Sequence, residues 1–272
     1  MNTLSANDAS TKPAFRSSRL DRAAPYAKSP LRYPGGKSFA TAKIRSYIPA
    51  GTDTLVSPFL GGGSLELACA RDGVTVFGSD AFEPLVNFWQ NALTDPSALA
   101  ARVASYFPLP KSSFYALQET FGRLQSSLER AAVFFVLNRC SFSGTTLSGG
   151  MSPDHPRFTR SAIDRLCRFA GNGLEVQCRD YKDALDLHPD AFAYLDPPYA
   201  NGERLYGQRG DMHEFDHEEF RELISSRSGW ILSYNDHPRI RALYERFDIV
   251  VPTWTYSMSN GSKSRELLIL NI

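Results

Sequence analysis

The chain has 272 residues, 42% of them hydrophobic, enough for one sizeable core with a modest insertion. No apolar run reaches the roughly 18 residues of a membrane span, and the opening MNTLSANDASTKPAFRSSRL lacks the apolar stretch of a secretory signal, so a cytoplasmic protein is expected. The net charge of +1 is unevenly spread: residues 1–45 hold nine Lys/Arg against two Asp, and residues 137–170 hold five Arg against two Asp. Either stretch can meet a polyanion; the plainer alternatives are a solvated tail and an Arg-rich helix face.

Residues 1–27 are rich in Ser, Ala, Lys and Arg without periodicity and read as a flexible basic tail. From residue 52 the pattern predicts a strand (52–59), a helix (62–73) ended by Gly73, a strand (74–80) and a helix (83–93) with Pro84 in its first turn. That β-α-β-α rhythm signals a parallel sheet with helices on both faces. It breaks at residues 95–173, where helices are predicted at 97–107, 112–120, 127–139 and 160–170 around a Gly/Ser-rich loop, 141–156. It resumes with strands at 174–180 and 191–199, a helix at 216–227, a strand at 229–236, a helix at 238–247, and strands at 249–256 and 265–272. The expected fold is α/β, one doubly wound domain with a mainly helical insertion.

Two places carry chemistry. SPFLGGGS puts Gly61, Gly62 and Gly63 between a strand and a helix, where a backbone without side chains lets a ligand approach closely. A full dinucleotide fingerprint needs a third glycine where Glu66 stands, and no GK[ST] follows, so neither a dinucleotide site nor a P-loop is predicted. Asp80 ends the next strand, 19 residues after Gly61, where a carboxylate takes ribose hydroxyls. A nucleoside ligand without a pyrophosphate fits this pair, and S-adenosylmethionine is one; the alternative is a tight turn with a local cap.

The second place is YLDPPYA, residues 194–200. Asp196 closes an apolar strand, at the sheet edge where open α/β sheets bind ligands. Asp196 and the Pro197 carbonyl are two acceptors on a rigid Pro197-Pro198 turn, and Tyr199 adds a flat face. Two acceptors beside a stacking surface suit the amino group of a planar base. The alternative is a rigid strand-to-loop turn. LRYPGGKS (31–38) marks another turn, and Lys37 after it reads in isolation as a loop lysine.

The motifs LRYPGGK, SPFLGGGS, GSDAFEPLVNFW, LNRCSFSG and YLDPPY occur in the order seen in D12-class, Dam-type adenine-N6 DNA methyltransferases, which the chain resembles over residues 30–272. The resemblance implies a mostly parallel seven-stranded methyltransferase sheet and S-adenosylmethionine as methyl donor, without a metal. It implies a catalytic domain from residues 28–94 and 174–272, with residues 95–173 as target-recognition insertion. Matched position by position, Tyr33, Lys37, Phe59, Gly61, Gly63, Ser64, Asp80, Asp180 and Asp196 become cofactor-site residues. Asp196, Pro197, Pro198 and Tyr199 become the catalytic motif that receives a flipped adenine. The implied partner is double-stranded DNA, with a restriction endonuclease as an unspecified companion. The implied setting is a bacterial or phage-encoded monomer, with a dimer on DNA as the alternative.

This sequence also departs from the family pattern. Gly62 stands where many members carry alanine, a difference expected to be harmless. The asparagine often found just after the ribose acid is absent from DAFEPL. After NRCSFSG the chain reads TTLSGGMSPDHPRFTR in place of the RYN-like segment of GATC-reading enzymes, so GATC specificity is not carried over. Expected DNA contacts are Asn138 and Arg139 to base edges, Ser141, Ser143, Thr145 and Thr146 to phosphates, and Arg157 and Arg160 flanking Phe158. Phe158 reads as core rather than as a wedge. Cys69, Cys140, Cys167 and Cys178 form no CxxC pair, and the cluster HEFDH (213–217) reads as a helix start capped by Asp216, so no metal site is predicted. Rival readings are a methyltransferase acting on RNA or another amino group, a non-catalytic DNA-binding protein of the same fold, and a dehydrogenase.

Overall fold

The computed structural model describes residues 27–152, 157–199, 215–252 and 266–272. The expected basic tail up to residue 26, the segment after YLDPPY and the second half of the strand expected at 249–256 lie outside the described residues. Among the described residues seven strands form one sheet: β1 (Thr54–Ser57), β2 (Thr75–Asp80), β3 (Leu174–Cys178), β4 (Phe192–Leu195), β5 (Trp230–Asn235), β6 (Asp248–Val250) and β7 (Glu266–Asn271). Their order is β3-β2-β1-β4-β5-β7-β6. The pairs among β1 to β5 are parallel, and β7 runs antiparallel between β5 and β6. This is the mostly parallel, seven-stranded sheet that the resemblance implies.

The strands are apolar almost throughout because both faces are covered. Side chains alternate, so Leu55, Val76, Tyr194, Ile231 and Leu268 enter one core, and Val56, Ala193, Leu195, Trp230 and Leu232 enter the other. Helices α1 (Thr41–Arg45), α2 (Ser64–Arg71) and α3 (Glu83–Thr94) contribute to the first core. Helices α8 (Tyr181–Leu187), α9 (His217–Ser225) and α10 (Pro238–Leu243) contribute to the second. The strand order reverses between β1 and β4. Their carboxyl ends therefore open a crevice, which holds the loop after Ser57 beside the one after Leu195.

Between β2 and β3 come α4 (Pro96–Ala104), α5 (Lys111–Thr120), α6 (Ser127–Cys140) and α7 (Arg160–Cys167). Ser126 caps α6 by accepting from the Glu129 N–H, and Thr159 caps α7 in the same way through the Ala162 N–H. From Ala131 to Asn138 α6 is buried on every side, as expected of a helix that is apolar all round. Its Phe134 and Phe135 lie 6.0 and 5.8 Å from Phe88 of α3, so α6 shares the core of the sheet. Phe158 is buried edge-on against Phe107, the core position read from the sequence.

Candidate active site

The chain leaves β1 through Pro58, Phe59 and Leu60 into a turn in which Gly61 and Gly63 take φ of 46° and 60°. Asp80, at the end of β2, holds this turn: its Oδ2 accepts from the Gly61 N–H at 3.0 Å and its Oδ1 from the Phe82 N–H at 3.0 Å. Burial raises its pKa, against the two backbone donors. Trp89 Nε1 donates to the Gly61 carbonyl at 3.0 Å. The absence of side chains here has a second cause besides ligand approach. A Cβ at Gly61 or Gly62 would come within 2.9 Å of Tyr33, whose ring lies on the turn. The alanine expected to be harmless at position 62 would therefore collide with the Tyr33 Cβ.

Tyr33 opens its own turn, in which the Gly36 N–H returns to the Tyr33 carbonyl at 3.0 Å. That turn delivers Lys37 into the sheet edge. Lys37 is only 5% exposed. It donates to Asp196 Oδ1 and Oδ2 at 2.9 and 2.8 Å, to the Tyr199 hydroxyl at 2.7 Å and to the Gly35 carbonyl at 3.0 Å. It also lies 3.8 Å from Glu266 Oε1, at the start of β7. The Tyr199 hydroxyl is 3.3 Å from Asp196 Oδ1 and 3.2 Å from Glu266 Oε1.

Burial and charge set the protonation of this cluster. Burial pushes Asp196 up to about 6, partly countered by Lys37 and reinforced by Glu266. Burial works against the Lys37 ammonium, yet Asp196 and Glu266 together hold its pKa above the ordinary value. Glu66 of α2 is also buried, accepts from Ser57 Oγ at 2.7 Å, and is pushed up to about 7 by burial. Neither Glu66 nor Glu266 was singled out from the sequence. The available signal was an acid on an apolar helix face in SLELACA and an acid heading the apolar run ELLILN.

Tyr33, Lys37, the glycine turn, Glu66, Asp80, Asp196 and Tyr199 border one cavity of about 430 Å³, while Ser57, Trp89 and Glu266 lie behind its wall. It brings together every residue that the sequence pointed to as cofactor-binding or catalytic: Tyr33, Lys37, Phe59, Gly61, Gly63, Ser64, Asp80, Asp180, Asp196, Pro197, Pro198 and Tyr199. Phe59 stacks on Tyr181 at 5.6 Å and meets Phe215 and Phe220 edge-on, forming an aromatic wall. Asp180 caps α8 through the Lys182 N–H at 2.9 Å and stands beside that wall.

The residues expected to touch DNA divide. Asn138 is fully buried and cannot read a base edge. Its Oδ1 accepts from the Arg32 N–H at 2.9 Å, and its Nδ2 donates to the Arg32 carbonyl at 2.7 Å, the Gly144 carbonyl at 3.2 Å and Thr146 Oγ1 at 3.1 Å. Ser141 and Thr146 are also buried, with the Thr146 N–H donating to Ser141 Oγ at 2.9 Å, so direct phosphate contact is closed to them. These side chains instead tie the loop after α6 to the segment that carries Tyr33 and Lys37.

Arg139 is half-buried, and its guanidinium reaches the Arg157 and Pro30 carbonyls at 3.0 and 3.4 Å. Ser143, with φ of 52°, is half-buried, and Arg157 and Arg160 are exposed. Phe142 beside Ser143 is 65% exposed, an outward aromatic that the sequence reading passed over. Thr145 to Ser148 border the cavity, so one loop joins its wall to the outer surface. Asp216 caps α9 as expected, and His217 is buried against the Tyr234 hydroxyl, while His213 and Glu214 of the HEFDH cluster lie outside the described residues.

The chain is 25% identical over 248 residues to the DNA N-6-adenine-methyltransferase of Escherichia phage P1, a match covering 83% of this chain and 32% of that protein. The chain thus spans about a third of the length of that relative. It is 23% identical over 270 residues to the Type II methyltransferase M1.LlaDCHI of Lactococcus lactis subsp. cremoris, covering 88% of this chain and 94% of that protein. The sequence model of the D12 class N6 adenine-specific DNA methyltransferases matches residues 33–258, which include the Tyr33–Lys37 turn, the glycine turn and the Asp196–Tyr199 motif. The chain belongs to this family, the D12 class N6 adenine-specific DNA methyltransferases.

Proposed function

We propose that the chain transfers a methyl group from S-adenosylmethionine to the N6 amino group of adenine in double-stranded DNA, with the target base turned out of the helix. The observation that carries this reading is the position of Asp196, held by Lys37 and Tyr199 in the same cavity as the glycine turn. Asp196 and the Pro197 carbonyl offer two acceptors to an amino group with two N–H donors. Accepting both hydrogens favours a tetrahedral, nucleophilic nitrogen, and a preorganised pair does so without reorganising as the reaction proceeds. Tyr199 supplies a face for the base. A base stacked in a duplex cannot reach such a site, so extrusion is part of the proposal.

The cavity suits the methyl donor. Gly61 to Gly63 leave backbone open beside Tyr33. Asp80 spends one lone pair of each oxygen on the turn and keeps others for ribose hydroxyls. The aromatic wall of Phe59 and Tyr181 offers a face to a purine ring, with Asp180 as a polar neighbour. Asp196 and Glu66 line the same cavity, with the Lys37 ammonium paired to Asp196. When bound, S-adenosylmethionine supplies a methyl carbon whose bond to sulfur breaks with its electron pair left on sulfur.

In this reading residues 28–94 and 174–272 hold cofactor and catalytic motif, and target recognition falls within 95–173. The loop 141–152 and the exposed Arg157 and Arg160 would face DNA, supported by Arg139 and flanked by Ser143 and Phe142. The test is expression in a methylation-free host with modified bases mapped by single-molecule sequencing. N6-methyladenine is expected at one short sequence and is lost in Asp196→Ala. Modification that persists in that variant, or that appears on RNA and not on DNA, overturns the reading.

A further inference from the structure

We propose that Tyr199 and Glu266 form a proton outlet for the methyl-transfer site, with Glu266 as the buried terminal acceptor. The proposal rests on the adenine-N6 reading above and adds a destination for a proton that the reaction must release. An amino nitrogen that gains a methyl group keeps two hydrogens and a positive charge until it loses one of them. Asp196, the acceptor beside that nitrogen, takes this proton.

The arrangement around Tyr199 then matters. Its hydroxyl lies 3.3 Å from Asp196 Oδ1 and 3.2 Å from Glu266 Oε1, and it accepts from Lys37 at 2.7 Å. A phenol has one proton to donate. Two carboxylates compete for it, and it can serve one at a time. When Asp196 carries the extra proton it donates to the phenol oxygen, and the phenol proton passes to Glu266 Oε1. Asp196 ends as a carboxylate, Tyr199 ends neutral as it began, and Glu266 ends protonated. No proton, electron or atom is left over.

Lys37 stays paired throughout this transfer. The Lys37 ammonium stands 2.8 Å from Asp196 and 3.8 Å from Glu266, so it faces a carboxylate in either protonation state. Glu66 from α2 and Tyr194 from β4 are the other titratable groups that act electrostatically on this pair. Glu266 is 5% exposed, which makes Tyr199 a more direct route to it than bulk water. Its charge also contributes to the upward displacement of the Asp196 pKa, after burial.

The experiment is single-turnover methyl transfer to DNA by the full chain with excess enzyme, followed against pH, for wild type, Glu266→Gln, Tyr199→Phe and the double variant. Both single variants are expected to lose roughly tenfold to 10²-fold at the plateau, toward the low end for a positioned proton acceptor. The double variant loses no more than either, because the two side chains serve one path. Removing the Glu266 charge lowers the Asp196 pKa, so the acid limb of Glu266→Gln moves to lower pH. A plateau within twofold of wild type overturns the proposal. So does loss that multiplies in the double variant, or a reduced plateau with an unmoved acid limb, which marks Glu266 as structural only. Urea midpoints and S-adenosylmethionine affinities establish that the variants are folded, and if Glu266→Gln does not fold, the Tyr199→Phe plateau decides. A wild-type chain that methylates no adenine defeats the activity itself, whereas a fully active Glu266→Gln defeats the outlet alone.

Discussion

Lys37 and Asp196 are 159 residues apart in the chain and meet in an ion pair of 2.8 Å at the edge of the sheet. The turn after Tyr33 and the strand end before Pro197 are thereby locked to each other, and the pair links the amino-terminal segment to the catalytic motif. Lys37→Ala leaves Asp196 and Glu266 close together without a counter-charge. Removing one partner of a fully buried pair costs about 3–5 kcal/mol. The Asp196 side chain is 21% exposed, so a smaller loss is expected at pH 8, on the order of 2 kcal/mol. The loss shrinks at pH 5, where an Asp196 deprived of Lys37 takes up a proton. Urea unfolding of both proteins at the two pH values checks this; equal losses at both would contradict it.

Glu66 gives a pH dependence of opposite origin. Its carboxyl is pushed from the ordinary 4.5 to about 7 by burial. A carboxyl with a raised folded pKa favours the folded state while protonated, and that stability is lost as pH rises from about 4.5 through 7. Glu66→Gln keeps an acceptor for Ser57 but never ionises. Without bound cofactor it should match wild type near pH 4.5 and exceed it above pH 7, by up to about 3 kcal/mol. Urea midpoints across that range give the answer, and a difference independent of pH would rule out ionisation as its cause.

Gly62→Ala tests the seat of Tyr33. The new Cβ would lie 2.9 Å from the Tyr33 Cβ, which is tethered to the backbone and cannot swing clear as a side-chain tip can. Tyr33 and the turn that delivers Lys37 must shift instead. We expect S-adenosylmethionine affinity to fall about tenfold, equivalent to about 1.4 kcal/mol, with little change in the urea midpoint. Calorimetric titration checks it. Unchanged affinity would mean that the turn accommodates alanine as it does elsewhere in the family.

The strands and the ligand edge were legible because their causes are local. A strand buried on both faces reads as an apolar run, as in FAYL and WILSYN, and glycines or prolines mark where the chain leaves the sheet. Helices α1 and α8, with five and seven residues, span two turns or less and show too little periodicity to be read. Partners across the fold were not legible either. Nothing near Tyr199 in the sequence announces Glu266, 67 residues away. The neighbours Asn138 and Arg139 illustrate a third limit. Successive residues on a helix point about 100° apart, and α6 is apolar all round, so its pattern could not say which of the two faces inward.

That distinction separates two substitutions that the sequence would group together. Asn138→Ala removes the partner of both Arg32 backbone groups, while the Gly144 carbonyl keeps the Thr146 hydroxyl as donor. Each buried polar group left unsatisfied costs about 1–3 kcal/mol, so a loss of at least about 2 kcal/mol is expected in urea, together with reduced methyl transfer on any DNA sequence. Arg157→Ala removes an exposed charge and should leave the urea midpoint within about 0.5 kcal/mol of wild type. Its effect belongs to DNA: weaker binding across sequences and a salt dependence shallower by about one counterion. Binding titrations at several salt concentrations distinguish the two variants. An Asn138→Ala protein of wild-type stability that had lost only its sequence preference would return Asn138 to base recognition and contradict the clamp.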